Sequence, residues 1–134
     1  MAKGEPKTKK TKASVAAFIA AVEDESRRKD AKSVDKMLRE ITGEKPEMWG
    51  SSIVGYGEYD TPSGKWPRAG FSPRKTGLVV YLAPDSKDRE LFQRLGKHRT
   101  GVSCLYINKL SDVDESVLRA VITRSWKHME ANYR

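Results

Sequence analysis

The sequence has few of the residues that mark disulfide-rich, metal-binding or membrane-spanning proteins. It contains one cysteine and two histidines in 134 residues. One thiol cannot form an internal disulfide, on which small secreted domains usually depend. No apolar run approaches the roughly 20 residues of a membrane-spanning helix, and the start of the chain lacks the apolar stretch of a secretory signal. We therefore expect a cytoplasmic protein with no membrane partner.

Positive charge is concentrated at the start of the chain. Residues 1–12 carry five lysines against Glu5, which is half of the net charge of +8. We expect residues 1–13 to be a disordered basic tail, because disorder concentrates at polar termini. Residues 14–134 have the length of a single domain. The tail is either solvated without a partner or a contact for nucleic-acid phosphates, and the second case predicts affinity that falls with salt.

Hydrophobic spacing predicts two helices, three strands, a helix, a strand and a last helix. The first helix begins near Ser14 and the second ends at Gly43, while the last has the capping-box spacing of Asp112 and Glu115. Strands are predicted over 53–59, 66–71, 78–83 and 103–107, with a turn over 60–65, a connection over 72–77 and a helix capped by Ser86. This order predicts an α+β fold, with an antiparallel sheet of about four to five strands and helices packed on one face.

Few residues are suited to catalysis or structural metal binding. A structural zinc site needs four Cys or His ligands at short spacings, whereas the chain offers His98, Cys104 and His128 on different predicted elements. Cys104 lies in an apolar strand, where a thiol is usually a core residue. The sequence has neither a nucleophile elbow nor a phosphate-binding P-loop. We expect no resident cofactor and no catalytic residues.

The most distinctive remaining feature is a set of loop cations beside aromatic residues. Arginine forks, lysine charges and loop N–H groups together can bind an anion, while aromatic rings can enclose it. The alternative is that the cations are solvated and the aromatics form the core. The predicted ligand-binding residues are Trp49, Tyr56, Trp66, Ser72, Arg74, Lys75, Lys97 and His98.

Several blocks of the sequence resemble one family. These blocks are Met48–Gly57, Gly70–Lys75, Leu95–His98 with Thr100–Gly101, and Ser103–Ile107. In order and spacing they are similar to the YdhG-like family of bacterial domains of unknown function, over about residues 14–133. The resemblance implies an α+β fold likened to frataxin and no established catalytic activity. It also implies, for some relatives, a role as an intracellular iron chaperone.

An iron site would use carboxylates of the first two predicted helices. The candidate ligands are Glu23, Asp24 and Asp35. Hard iron ions favour carboxylate oxygens presented together, and the basic residues interleaved in these helices would oppose the accumulation of metal ions. The chain also differs from the family in a hairpin tip, between Tyr59 and Trp66, that is shorter than usual.

These observations predict a non-enzymatic binding protein, either monomeric or homodimeric. Its expected partner is a small anionic molecule or an acidic protein. The alternatives are an iron chaperone, nucleic-acid binding through the tail and, last, an enzyme with His98 as its general base. No orienting partner for His98 is evident in the sequence.

Overall fold

The computed structural model describes residues 9–83 and 88–133. Its helices are α1 (Val15–Ala20), α2 (Glu25–Thr42), α3 (Arg89–Leu95) and α4 (Glu115–Asn132), with a 3₁₀ turn over Leu110–Asp112. Its strands are β1 (Lys10–Thr11), β2 (Glu47–Trp49), β3 (Ile53–Tyr56), β4 (Tyr59–Thr61), β5 (Gly64–Trp66), β6 (Ala69–Arg74), β7 (Gly77–Tyr81), β8 (Arg99–Thr100) and β9 (Cys104–Ile107). The α+β class predicted from the sequence is confirmed.

The first two helices begin and end at residues suited to those positions. Ser14 accepts a hydrogen bond from the Ala17 N–H at 3.1 Å, which caps α1. Asp24 caps α2 in the same way, and Gly43 ends α2 with a φ of 69°. A positive φ is disfavoured for residues with a Cβ, so glycine suits this position. The predicted helix limits at Ser14 and Gly43 are confirmed.

The caps of the last two helices differ from the prediction. Asp114 caps α4 and accepts hydrogen bonds from two N–H groups of its first turn. Asp112 instead belongs to the preceding 3₁₀ turn, so the predicted capping box was wrong by two residues. Asp88 caps α3, and Ser86, the predicted cap, lies outside the described residues. Aspartates so close together allow several registers, which sequence spacing alone does not distinguish.

Seven strands form the main sheet, in the order β1-β2-β3-β6-β7-β9-β8, and every neighbouring pair is antiparallel. The predicted count of four to five was too low. The missed strands β1, β2 and β8 have two or three residues each, too few to show an alternating pattern. β4 and β5 form a separate hairpin that includes the predicted turn over 60–65.

Three predicted boundaries in the middle of the sheet were wrong. The strand expected over 53–59 is divided at Gly57 and Glu58, so that Tyr56 ends β3 and Tyr59 begins β4. The strand expected over 66–71 is divided at Pro67 and Arg68, so that Trp66 ends β5 and Ala69 begins β6. The connection expected over 72–77 is mostly strand, since β6 continues to Arg74. Pro73 is tolerated there because β3 pairs with β6 only as far as Phe71, which leaves a strand on one side only.

The sheet has one face covered by helices and one that faces away from them. Val54, Phe71, Val80 and Leu105 are aligned across β3, β6, β7 and β9, and they pack with the apolar residues of all four helices in one core. Side chains alternate along a strand, so the neighbouring residues point the other way. We call the opposite side the open face. It carries Trp49, Ile53, Ser72, Arg74, Val79, Tyr81, Arg99, Cys104 and Tyr106.

The β4–β5 hairpin closes one end of the sheet. Tyr59 packs with Met129 of α4, and Trp66 borders the same small cluster. Arg68 donates hydrogen bonds to the carbonyls of Glu58 and Tyr133, at 3.0 and 3.1 Å. The hairpin is therefore attached to both the sheet and the C-terminal end of α4.

The described part of the chain begins within the predicted tail. Lys10 and Thr11 pair with Trp49 and Met48, and the Gly50 N–H donates to the Lys9 carbonyl. The edge of the sheet therefore includes residues before position 14. Among the described residues, no helix combines the length and the apolar character needed to cross a membrane.

Candidate functional site

A polar cluster lies on the open face, on the part of the sheet formed by β6, β7, β9 and β8. It consists of Arg74, Tyr81, Arg99, Cys104 and Tyr106, contributed by β6, β7, β8 and β9. Tyr81 is paired with Cys104, and Arg99 with Tyr106. Since paired residues have side chains on the same face, the strand register itself gathers the cluster. We call it the arginine–tyrosine cluster.

Each arginine of the cluster is held by a tyrosine. The Arg74 Nη2 atom donates a hydrogen bond to the Tyr81 hydroxyl at 3.0 Å. The Arg99 guanidinium carbon lies 5.2 Å from the centre of the Tyr106 ring, which is the range of a cation–π contact. Both guanidinium groups are exposed. These contacts orient them while leaving N–H donors for a further partner.

The cations of this region have no carboxylate partner among the described residues. None of Arg74, Lys75, Lys97 and Arg99 takes part in an ion pair within 9–83 and 88–133. Elsewhere in the chain, pairs are made by Lys10, Lys29, Arg39, Lys65, Arg94, Arg119 and Arg124. These cations are thus not neutralised by an ion pair within the described part of the chain.

Opposing effects act on the pKa values of Tyr81 and Tyr106. Burial raises the pKa of Tyr81, and the nearby positive charge of Arg74 partly offsets that effect. A hydrogen bond with the Cys104 thiol raises the pKa of Tyr106, while Arg74 and Arg99 act to lower it. Both phenols therefore remain neutral at physiological pH, and the charge of the cluster comes from its arginines.

A line of aromatic rings leads from the hairpin to the cluster. The Trp66 ring contacts Trp49 and Tyr81, each with centres 6.3 Å apart and an edge-to-face arrangement. Trp49 is almost fully buried, whereas Trp66, Tyr81 and Tyr106 are half-buried. Aromatic surface thus extends over three strands beside the cations.

The cluster lies beside a small, shallow cleft. The cleft has a volume of about 170 Å³, and Val79, Arg99 and Tyr106 are among the residues that line it. Sites for drug-sized ligands usually enclose about 300–1,000 Å³. This part of the open face is therefore a surface with a narrow recess and not an enclosing pocket.

The predicted ligand-binding residues do not all meet. Trp49, Ser72 and Arg74 lie on the open face, Trp66 contacts it, and Lys75 follows Arg74 in the β6–β7 turn. Lys97 and His98 follow α3, where the His98 ring packs against Phe92. The predicted loops therefore lie at separate places on the protein. Of the predicted ligand-binding residues, only Arg74 belongs to the arginine–tyrosine cluster.

Two members of the predicted set have structural contacts instead. Tyr56 is buried on the helix side of the sheet, where its hydroxyl donates to the Asp35 carboxylate at 2.5 Å. Ser72 is buried, and its hydroxyl donates to the Ser52 carbonyl at 2.7 Å. Neither hydroxyl is directed to the exposed part of the open face.

A larger groove lies between the β6–β7 turn and the loop from α1 to α2. Its volume is about 640 Å³, and its apolar floor includes Phe18 and Val22. Arg74 and Lys75 border this groove on one side, and Glu23 and Asp24 on the other. Because opposite charges line it together, the groove does not favour a ligand of either sign as strongly as the open face favours an anion.

The three acids of the predicted iron site do not share a location. Asp24 caps α2, while Asp35 lies 11 positions further along the chain, a rise of about 16 Å in an α-helix. Asp35 is bound by Tyr56 and by Arg39, whose Nε lies 3.1 Å away. Within residues 9–83 and 88–133, no three His, Cys, Asp or Glu side chains form a group that could hold a metal ion.

Tyr81, Arg99 and Tyr106 were absent from the predicted site. A signal was present for Tyr106, which alternates with apolar neighbours in Cys104–Ile107, whereas Tyr81 lies in the unbroken apolar run Leu78–Leu82. Arg99 could not be placed because β8 has only two residues. Its position opposite Tyr106 depends on a register that only the structure gives.

Comparisons with protein-family models, with curated proteins and with solved structures found no match to this chain. The resemblance to the YdhG-like family therefore stays a prediction.

Proposed function

We propose that this chain is a binding protein that recognises an anionic ligand or partner on the open face, through Arg74 and Arg99. The observation that carries the proposal is that two exposed guanidinium groups are oriented by tyrosines and have no carboxylate partner among the described residues. Guanidinium groups bind phosphate and carboxylate through paired N–H donors.

The arrangement favours recognition over catalysis. The cluster supplies hydrogen-bond donors, positive charge and aromatic surface, which together bind and orient an anion. The described residues place no carboxylate or imidazole in contact with either arginine, so the cluster has no general base next to its cations. Its only sulfur is the half-buried thiol of Cys104.

The test is a thermal-shift titration of the full chain with pyrophosphate, citrate and heparin. A ligand at about 100 times its dissociation constant raises the free energy of unfolding by roughly 2.7 kcal/mol, which corresponds to several degrees. The variant Arg74→Gln/Arg99→Gln should lose most of the shift for the anion that binds. Glutamine keeps part of the aliphatic stem and a hydrogen-bond donor, so the change mainly removes charge.

The matched control is Lys29→Gln/Arg94→Gln. It removes the same charge from exposed cations of α2 and α3, each of which pairs with a glutamate four residues before it. The control should keep the full shift. An equal loss of the thermal shift in both double variants would mean that binding depends only on net charge, which contradicts the proposal. The absence of any thermal shift in the wild type would also contradict it.

A further inference from the structure

Resting on this proposed function, we infer that the anion bound by the open face is a single-stranded nucleic acid. Its bases would stack on Tyr106, Tyr81 and Trp66, and its phosphates would contact Arg74 and Arg99. Proteins that read single strands on a sheet use this combination of aromatic rings on neighbouring strands with flanking cations.

The aromatic rings have the spacing that such a surface needs. Tyr81 is paired with Cys104, two residues before Tyr106 on the adjacent strand. The two tyrosines are therefore diagonal neighbours, about 7–8 Å apart along the sheet. Trp66 extends the line on the other side of Tyr81, with ring centres 6.3 Å apart. Three half-exposed rings in succession offer stacking surface for more than one base.

The shape of the site favours an extended ligand over a small enclosed one. The cleft at Arg99 and Tyr106 has a volume of about 170 Å³, below the roughly 300–1,000 Å³ of usual small-molecule sites. Arg74 and Arg99 belong to β6 and β8, which are separated by two intervening strands. At about 4.8 Å per strand the two backbones are roughly 14 Å apart, so successive phosphates fit better than one.

In the described part of the chain, the charges near the hairpin are paired, whereas the arginines of the cluster are free to bind an anion. At the hairpin end, Glu58 pairs with Lys10 and Lys65, at 2.6 and 3.6 Å. In the arginine–tyrosine cluster, Arg74 and Arg99 have no such partner among the described residues, and the whole chain carries a net charge of +8. A polyanion would therefore be attracted to the arginine–tyrosine cluster.

The test measures fluorescence anisotropy of labelled single-stranded oligonucleotides of about 12 nucleotides, a length within the range of known single-strand sites. The full chain is used throughout, so that its lysine-rich tail is constant. Tyr106→Leu should weaken binding by about 5- to 140-fold, the range expected for loss of one stacked base. Tyr106→Phe, which keeps the ring, should bind as the wild type does.

Inorganic polyphosphate separates this inference from the proposed function. One outcome is that polyphosphate and the oligonucleotide compete, that the affinity for both depends on Arg74 and Arg99, and that Tyr106→Leu weakens neither. The open face then binds anions through its arginines and does not stack on bases. That result would overturn the inference and leave the proposed function standing. If neither ligand responds to Arg74→Gln/Arg99→Gln, both proposals are overturned.

A duplex and a tail variant complete the test. Paired bases cannot stack on the tyrosines, so a duplex of the same sequence should bind more weakly than the single strand. Equal binding of both forms contradicts the inference. Replacement of Lys3, Lys7, Lys9 and Lys12 by glutamine should lower affinity without changing the effect of Tyr106→Leu. If the tail variant abolishes binding while the Tyr106 variants have no effect, the tail and not the open face is the site.

Discussion

Tyr56 and Asp35 form a partly buried polar contact between β3 and α2. The Tyr56 hydroxyl lies 2.5 Å from a carboxylate oxygen of Asp35, and Arg39 binds that same oxygen from the next turn of α2. Burial, and then the hydrogen bond to Asp35, raises the pKa of Tyr56 far above that of a free tyrosine. The folded protein thus holds this phenol neutral under conditions in which an unfolded chain would ionise it.

The raised pKa of Tyr56 predicts a loss of stability in alkali. Below about pH 10 both states keep the phenol proton, whereas above it the unfolded state loses the proton and the folded state retains it. The free energy of unfolding should then fall with pH, with a contribution from Tyr56 of about 1.4 kcal/mol per pH unit. Urea titrations between pH 8 and roughly pH 11 should show a shallower slope for Tyr56→Phe.

The matched control for this pH dependence is Ile122→Val. It trims a buried side chain of α4 and should lower stability at every pH, typically by about 0.5–1.5 kcal/mol. Because it removes no titrating group, its slope with pH should equal that of the wild type. The same slope in Tyr56→Phe as in this control would contradict the assignment to Tyr56.

At the scale of the element, the β4–β5 hairpin depends on a close approach at Gly55. A Cβ built on Gly55 would lie 2.4 Å from the Trp49 ring and 2.8 Å from the Cβ of Pro67. Trp49 in turn contacts Trp66 at the end of β5. The missing side chain of Gly55 therefore leaves the space that the indole and the hairpin occupy.

Gly55→Ala should displace the Trp49 ring and loosen the hairpin. Overpacking of this kind typically lowers the free energy of unfolding by about 1–3 kcal/mol. Urea denaturation would measure the loss, and a shift of the tryptophan emission would report the moved ring. Gly101→Ala is the control, since its nearest atoms would be 3.4 and 3.5 Å away, on the flexible Tyr106 ring. Similar small effects of both substitutions would show that the hairpin does not depend on this approach.

The long elements were predictable from the sequence, and the short ones were not. α2 and α4 each have 18 residues with repeated apolar positions, which is enough to show a helical period. β1 and β8 have two residues each and owe their position to the neighbouring strands β2 and β9. Backbone hydrogen bonds to the edge of a neighbouring strand stabilise such short segments. The local sequence does not indicate this pairing.

The candidate site was predictable only in part, for the same reason. Arg74 and Lys75 were found because loop cations stand out in a sequence. The partners of Arg74 and Arg99 could not be found: each tyrosine lies only seven residues further along the chain, but the contact depends on the register of two adjacent strands. Tyr56 was wrongly assigned to the binding site. β3 is a short strand, and the sequence does not show which of its residues face the helices.

For the whole molecule, the arrangement of the core predicts a single unfolding transition. One apolar cluster joins residues of all four helices to the central strands, and Trp126 belongs to it. A second, small cluster attaches Tyr59 of the hairpin to Met129 of α4. Small domains with one continuous core usually unfold in an all-or-none manner, so the open face and the hairpin should lose their structure together with the helices.

Trp126→Phe allows this prediction to be tested, because the two remaining tryptophans, Trp49 and Trp66, both report on the hairpin and the open face. In this variant, urea transitions followed by tryptophan fluorescence and by far-ultraviolet circular dichroism should have the same midpoint. An earlier fluorescence transition would show that the hairpin opens before the helical core. In that case the aromatic line beside Tyr81 would be mobile at equilibrium, and ligand binding would have to order it. Coincident transitions mean that the aromatic line is as stable as the core, so an anion meets a surface already arranged to receive it.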